Sequence, residues 1–348
     1  MSFEDNIRKV FPYTPGEQPQ RPVIKLNTNE CPYPPSPAVK KALNEMDTAL
    51  LRKYPDPSAS LLVDAVASYY KLSPEQVFVG VGSDDVLSMC FLTYFHGKKP
   101  ILFPNITYSF YDVWAEVYRI PYKQIPLTED FSINPTDYHQ ENGGIVIANP
   151  NAPTGVLENL DFIEDILKAN PDSIVLVDEA YIDFGGETAL PLLDKYENLV
   201  IVRTTSKSRA MAGMRIGYAF GSKKLIKYLN DVKFSVNSYT MNLPSILAGK
   251  AVMEDDAYFR EIVEKMVKTR EWTKQELKRL GFKFRDSKTN FIFATHPTAS
   301  AKTLFEQLKA QDIFVRYFNQ PIINNYLRIS IGTDAEMKKF IEVLEGLL

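Results

Sequence analysis

Residues 173–180 read SIVLVDEA and residues 198–204 read NLVIVRT. Each is a nearly unbroken apolar run that ends on polar residues. A strand with one face in water alternates apolar and polar side chains. A run without that alternation belongs to a strand covered on both faces, the setting of a parallel sheet flanked by helices. The pattern recurs on either side. QVFVGV (76–81), PILF (100–103) and GIVIAN (144–149) read as further strands. DDVLSMCFLTYF (84–95), SFYDVWAEVY (109–118) and NLDFIEDILKAN (159–170) read as the helices between them. The alternation predicts an α/β fold, with a large lobe built on a mostly parallel central sheet flanked by helices.

From about Ser222 the pattern changes. DDAYFREIVEKMVKTREWTKQELKRL (255–280) is a long, charged, amphipathic helix, and KTNFIFAT (288–295) and YLRISIGT (326–333) are short strands. These predict a smaller α+β lobe. The first 35 residues carry prolines at 12, 15, 19, 22, 32, 34 and 35. Proline fixes φ and removes a donor, so this stretch reads as an extended arm. The expected organisation is an arm over 1–35, packing with the small lobe and a partner subunit. A large domain over 36–235 and a small domain over 236–348 follow.

Composition narrows the function classes. The chain has 348 residues, is 45% hydrophobic and carries a formal net charge of -3. There is no basic stripe to receive a nucleic acid. No apolar run is long enough to span a membrane, and the first residues do not read as a signal peptide. Cys31 and Cys90 have no metal-ligand spacing and suggest no disulfide framework, so no metal is expected and a reducing, cytoplasmic setting is. Only three histidines are present, which argues against catalysis by a histidine cluster.

Five motifs remain. GVGSDD (80–85) lies between a strand and a helix, where glycines and helix N-terminal N–H groups can receive a phosphate; a plain tight turn reads equally well. It lacks the helix-side glycine of a dinucleotide fingerprint. Asp178 ends a buried strand, the edge at which open parallel sheets bind ligands; a helix cap or a metal ligand are its other readings. NPNAPTG (149–155) is a turn after a strand. TTSKSRAMAGMR (204–215) places Lys207 among hydroxyls, with Arg215 eight residues on; the lysine is either a surface residue or an amine nucleophile. Arg316 and Arg328 are suited to bidentate grip of carboxylate or phosphate, or else to structural ion pairs.

Taken in order with Tyr108, these motifs resemble the fold-type-I aminotransferases that use pyridoxal phosphate. KLNTNECPYPPSP (25–37) and RKYPDP (52–57) look like the branch acting on histidinol phosphate. The resemblance runs from Tyr13 to Gly332. It implies that Lys207 carries the cofactor and moves protons, that Asp178 faces the pyridine nitrogen, and that Tyr181 bonds the ring 3′-oxygen. It further implies that Tyr108 stacks on the ring. The phosphate would be held by the backbone at Ser83 and Asp84, by Ser206 and Arg215, and by Tyr54 reaching over from a second subunit of a homodimer with shared sites. Tyr13, Asn29, Arg316 and Arg328 would bind the substrates, a phosphorylated amino alcohol and a 2-oxo acid. The family carries asparagine immediately before Pro-Thr-Gly; here that position is Ala152. The preceding Asn151, a water, or Tyr181 alone takes its role. An aromatic amino-acid aminotransferase and a threonine-phosphate-type decarboxylase are alternatives on the same scaffold. A non-catalytic sensor is the alternative from another class, disfavoured because no DNA-binding domain is appended.

Overall fold

The computed structural model describes residues 2–348. The first half of the chain runs β1 (Ile24–Leu26), α1 (Pro37–Asn44), α2 (Ser60–Tyr70), β2 (Val77–Gly80), α3 (Gly82–Tyr94), β3 (Ile101–Pro104), α4 (Tyr111–Tyr118), β4 (Tyr122–Ile125), β5 (Ile145–Ala148) and α5 (Leu160–Ala169). The second half runs β6 (Val175–Asp178), β7 (Leu199–Thr204), β8 (Gly217–Gly221), α6 (Lys223–Val236), α7 (Leu243–Glu254), α8 (Asp256–Arg279), β9 (Lys283–Phe284), β10 (Phe291–Thr295), α9 (Ala301–Ala310), β11 (Ile313–Tyr317), β12 (Leu327–Ser330) and α10 (Asp334–Leu347).

Seven strands form the large sheet in the order β2-β8-β7-β6-β5-β3-β4. β4, β3, β5, β6 and β7 are parallel, and β8 runs antiparallel to both β7 and β2. Successive side chains feed two separate cores. Ile145, Ile147, Val175, Val177, Leu199 and Ile201 enter one; Val146, Ala148, Leu176, Val200 and Val202 enter the other. Both faces are dry, which is why these strands show no polar alternation. Full burial of each Val, Leu or Ile among them contributes about 1.5–3 kcal/mol. The covering helices are amphipathic. In α5, Phe162, Ile163, Ile166 and Leu167 are buried, and the Asn159 side chain caps the helix by accepting from the Phe162 N–H.

Five strands form the small sheet, in the order β1-β11-β12-β10-β9. β1 lies parallel to β11, so the proline-rich segment enters the small lobe as an edge strand. The other pairings are antiparallel. Helix α7 lies past residue 235, yet its Ile246, Val252 and Met253 join the large core. Apolar burial against the large lobe decides its place. No helix among the described residues is long and apolar enough to cross a membrane.

Candidate active site

The carboxyl ends of β2, β5, β6 and β7 share one edge of the large sheet, since β2 is parallel to β7 through β8. They open onto a cavity of about 370 Å³ whose wall includes Ser83, Asp84, Asp178, Tyr181, Lys207 and Arg215. Tyr108 and Ser206 also line it.

Asp178 is the last residue of β6 and is buried. Its Oδ2 accepts from the Tyr111 hydroxyl at 2.9 Å, and its Oδ1 from the Ala180 N–H at 3.1 Å. Burial pushes its pKa up to about 6, although these hydrogen bonds favour the ionised form. No cation among the described residues pairs with it. The site therefore contains a desolvated carboxyl group in the cavity wall.

Lys207 lies three residues past the end of β7. Its Nζ donates to the Thr28 carbonyl at 3.2 Å and sits 5.9 Å from the Tyr181 ring centroid. It forms no ion pair among the described residues. The loop that carries it is fixed by neighbours: the Ser206 N–H donates to Thr204 Oγ1 at 3.0 Å, and the Thr205 N–H to the Ile216 carbonyl at 3.1 Å. Thr204 Oγ1 lies within hydrogen-bond reach of both Ser206 Oγ, at 2.9 Å, and the Ile216 carbonyl, at 3.2 Å, and has one proton to share between them.

The glycine-rich turn is a working part of the wall. Gly82 opens α3 with φ +85°, and a Cβ there would come within 2.4 Å of Arg215 Nη2. Only glycine combines that backbone with that approach. Arg215 Nη2 donates to Asp84 Oδ2 at 3.0 Å, and the Tyr108 hydroxyl donates to Asp84 Oδ1 at 2.8 Å. Ser83 and Asp84 lie in the first turn of α3, where N–H groups have no partner within the helix.

A second cavity of about 130 Å³ adjoins the first; Thr28, Tyr108, Ala152, Tyr181 and Lys207 line both. Tyr13, Asn29, Arg316 and Arg328 also line it. Tyr13 stacks on Phe110 at 4.2 Å. Asn29 donates from Nδ2 to the Tyr181 hydroxyl at 2.9 Å and is itself fixed by Ser330. Arg328 Nη2 donates to the Asn27 carbonyl at 2.9 Å, while its buried Nε has no partner among the described residues. Burial lowers the Arg328 pKa. Arg316 Nη2 donates to the Thr14 carbonyl at 3.3 Å. Neither guanidinium meets a carboxylate among the described residues, so both present charge to the cavity.

Two expected residues stand apart. Asn151 is buried in its own loop. Both hydrogens of its amide are spent, on the Ile106 carbonyl and Thr154 Oγ1, and its oxygen accepts from Thr107. The cavity wall at that point is Ala152. Asn151 thus holds the turn together and has no donor left for a ring oxygen. Tyr54 is 82% exposed, stacked on Tyr239 at 4.7 Å, and outside both cavities of its own chain. Two contributors escape a reading of the sequence. Tyr111, which holds Asp178, looks like one more aromatic on an apolar helix. Thr28, which meets Lys207, acts through its backbone carbonyl and carries no side-chain signal.

The chain matches the model of the family "Aminotransferase class I and II" over residues 21–344, and it belongs to that family. It is 53% identical over 349 residues to the histidinol-phosphate aminotransferase of Lactococcus lactis subsp. cremoris (strain SK11), covering 100% of this chain and 98% of that protein. Its place within the family is with the histidinol-phosphate aminotransferases. Among solved structures, it superposes with a TM-score of 0.84 on the histidinol-phosphate aminotransferase from Sinorhizobium meliloti in complex with pyridoxal-5'-phosphate, at 22% identity, covering 94% of this chain and 92% of that one. It superposes with a TM-score of 0.79 on L-threonine-O-3-phosphate decarboxylase from Porphyromonas gingivalis, at 22% identity, covering 93% of this chain and 99% of that one. At these identities the likeness is one of fold.

Proposed function

We propose that the protein is a pyridoxal-phosphate-dependent aminotransferase. It moves the amino group of L-histidinol phosphate to 2-oxoglutarate, giving imidazole-acetol phosphate and L-glutamate, a step of histidine biosynthesis. The observation that carries this reading is the junction of two cavities at Lys207. One holds an uncompensated buried carboxylate, and the other two uncompensated guanidinium groups.

The donor set fits the cofactor. Asp178 suits a cationic ring nitrogen, because an opposite charge beside it restores the ionised carboxylate that burial disfavours. Tyr181 accepts from Asn29 and keeps its own proton to donate to a ring oxygen. The first-turn N–H groups of α3, the Ser206 hydroxyl and Arg215 suit a phosphate. When bound, pyridoxal phosphate supplies an aldehyde that takes up amines and a ring that accepts the electrons of a broken C–H bond. Lys207 Nζ would be the amine that holds the cofactor, and, when free, would serve as general base for the proton on the substrate carbon that bears the amino group. Arg316 and Arg328 bind the phosphate of one substrate and a carboxylate of the other, which lets one pocket serve both halves of the reaction. The arm carrying Tyr13 and Asn29 closes over the pocket and excludes water.

We assign a homodimer with shared sites. Leu50, Leu51, Tyr54, Leu61 and Tyr239 are large, exposed and apolar, the composition of a covered face. Tyr54 then completes the phosphate site of the partner subunit. The arm, 1–35, remains our assignment; the two lobes, expected to divide near residue 235, are assigned a division after α7, because Ile246, Val252 and Met253 pack in the large core. The free cysteines Cys31 and Cys90 support a cytoplasmic setting.

The test is chemical. Borohydride reduction of the yellow holoprotein, followed by peptide mapping, should fix the cofactor on Lys207. A label on another lysine, or none, would sink the assignment.

A further inference from the structure

Asp178 and Tyr181 share the segment that ends β6, and Lys207 lies on the separate segment that follows β7, yet residues beside them on both segments converge below the cavity on one side chain. Arg203, on β7, is buried. Its Nε and Nη2 both donate to Glu179 Oε2, at 2.9 and 2.8 Å. Its Nη1 donates to the Tyr70 hydroxyl at 3.1 Å and to Asp183 Oδ1 at 3.4 Å. Asp183 Oδ2 in turn accepts from Ser208 Oγ at 2.5 Å. Glu179 is the residue after Asp178, Ser208 the residue after Lys207, and Asp183 lies two past Tyr181. Glu179 is otherwise satisfied by the Ala189 N–H at 2.6 Å and the Thr188 hydroxyl at 2.8 Å.

Arg203–Glu179 is the one ion pair among the described residues in which both side chains are more than nine-tenths buried, at 6% and 1% exposure. Such a pair is poor value as a source of stability, because desolvation offsets the Coulomb attraction. What it does supply is a rigid, directional joint in a medium of low dielectric. Here the joint ties together the backbone positions from which an amine, a carboxylate and a phenol point into the same cavity.

We propose that Arg203 is a positioning residue. Through Glu179, Asp183 and Ser208 it sets the distance and angle between Lys207, Asp178 and Tyr181, and so the alignment of the proton transfer. The inference rests on the aminotransferase reading above. It makes a specific demand: loosening the joint should disturb the chemistry at Lys207 while leaving anion binding by Arg316 and Arg328, in the other lobe, as it was.

The experiment compares the holoenzyme with the double variant Arg203→Met/Glu179→Gln, which removes both charges of the fully buried pair and leaves Asp183 its hydrogen bond from Ser208. Three readouts are taken: kcat, KM for histidinol phosphate, and the pH midpoint of the visible absorbance of the bound cofactor. The expected result is kcat lower by roughly 10- to 100-fold with KM within about twofold. The absorbance midpoint should move by roughly 0.5 pH unit or more, because the charges around Lys207 no longer hold their places. An unchanged kcat and an unchanged midpoint in a folded double variant would overturn the proposal. If that variant does not fold, Ser208→Ala decides, since it deletes a single hydroxyl. It should lower kcat and move the midpoint in the same sense, and wild-type behaviour in both would overturn the proposal. A wild-type protein with no cofactor absorbance at all would instead refute the aminotransferase reading.

Discussion

Arg316 and Arg328 stand directly opposite one another across the antiparallel β11–β12 pair. Like charges in that relation repel and cost stability. No carboxylate among the described residues relieves them, and both line the cavity beside Lys207. The arrangement makes sense as a receptor for a dianion.

Arg328→Met should therefore raise the KM for histidinol phosphate. Losing a charge-assisted hydrogen bond to an anion costs about 1.5–3 kcal/mol, on the order of 10- to 150-fold in kcat/KM. The KM for 2-oxoglutarate should rise as well, because the pocket is shared. Melting of the substrate-free protein should be unchanged or slightly improved, since a repulsion has been removed. Steady-state kinetics with each substrate and a thermal melt check all three statements.

The Asp178 carboxyl gives a pH dependence of unusual sign. Burial raises its pKa from the ordinary 3.8 to about 6 in the cofactor-free protein. The folded state then holds a proton that the unfolded state has released between those values. Its contribution is fully present below about pH 4 and is lost as pH rises through about 6, an effect of roughly 3 kcal/mol at most. The difference in melting between wild type and Asp178→Asn, both without cofactor, should widen in favour of the variant across that window. With cofactor bound, the cationic ring nitrogen keeps Asp178 ionised, and wild type should become the more stable. A flat difference across pH would contradict the account of Asp178.

Gly82→Ala tests the phosphate turn. At φ +85°, with Arg215 Nη2 within 2.4 Å of the new methyl, the substitution strains the backbone and displaces the guanidinium. The cofactor should bind more weakly, by on the order of tenfold or more, for about 1–3 kcal/mol of strain. Equilibrium dialysis of pyridoxal phosphate measures it.

Shared sites can be tested by complementation. Tyr54→Ala and Lys207→Ala should each be impaired alone. In a dimer containing one copy of each, one site carries both defects and the other carries none. Random reassociation of equal amounts should restore about one quarter of wild-type activity. No recovery from mixed, reassociated chains would place Tyr54 outside the partner's site.

Much of the fold was legible because the central strands are covered on both faces. Val175–Asp178 and Leu199–Thr204 are buried throughout, so they advertise themselves as apolar runs. Strand Tyr122–Ile125 is an edge strand with two exposed residues and no such run. The run at 216–220 is visible, but nothing in it states that β8 will lie antiparallel between two parallel neighbours. At the site, motifs at strand ends could be read from their chemistry, and the structure gathers Lys207, Asp178, Tyr181, Tyr108, Ser206 and Arg215 around one cavity. Asn151 could not be read correctly. The amide of an asparagine looks the same whether it faces a ligand or closes its own turn, and only the hydrogen bonds to Ile106, Thr107 and Thr154 decide between them. Arg203 was silent for a similar reason: a buried arginine on a strand reveals its role only when its partners are known.

The measurement that tests the central claim most directly is kcat/KM across amine donors with 2-oxoglutarate as acceptor. The account predicts that histidinol phosphate exceeds unphosphorylated histidinol and phenylalanine by at least about tenfold, with glutamate formed one for one, because of these amine donors it alone brings a dianion to Arg316 and Arg328. A preference for phenylalanine, or carbon dioxide release from threonine phosphate in place of amino transfer, would contradict it.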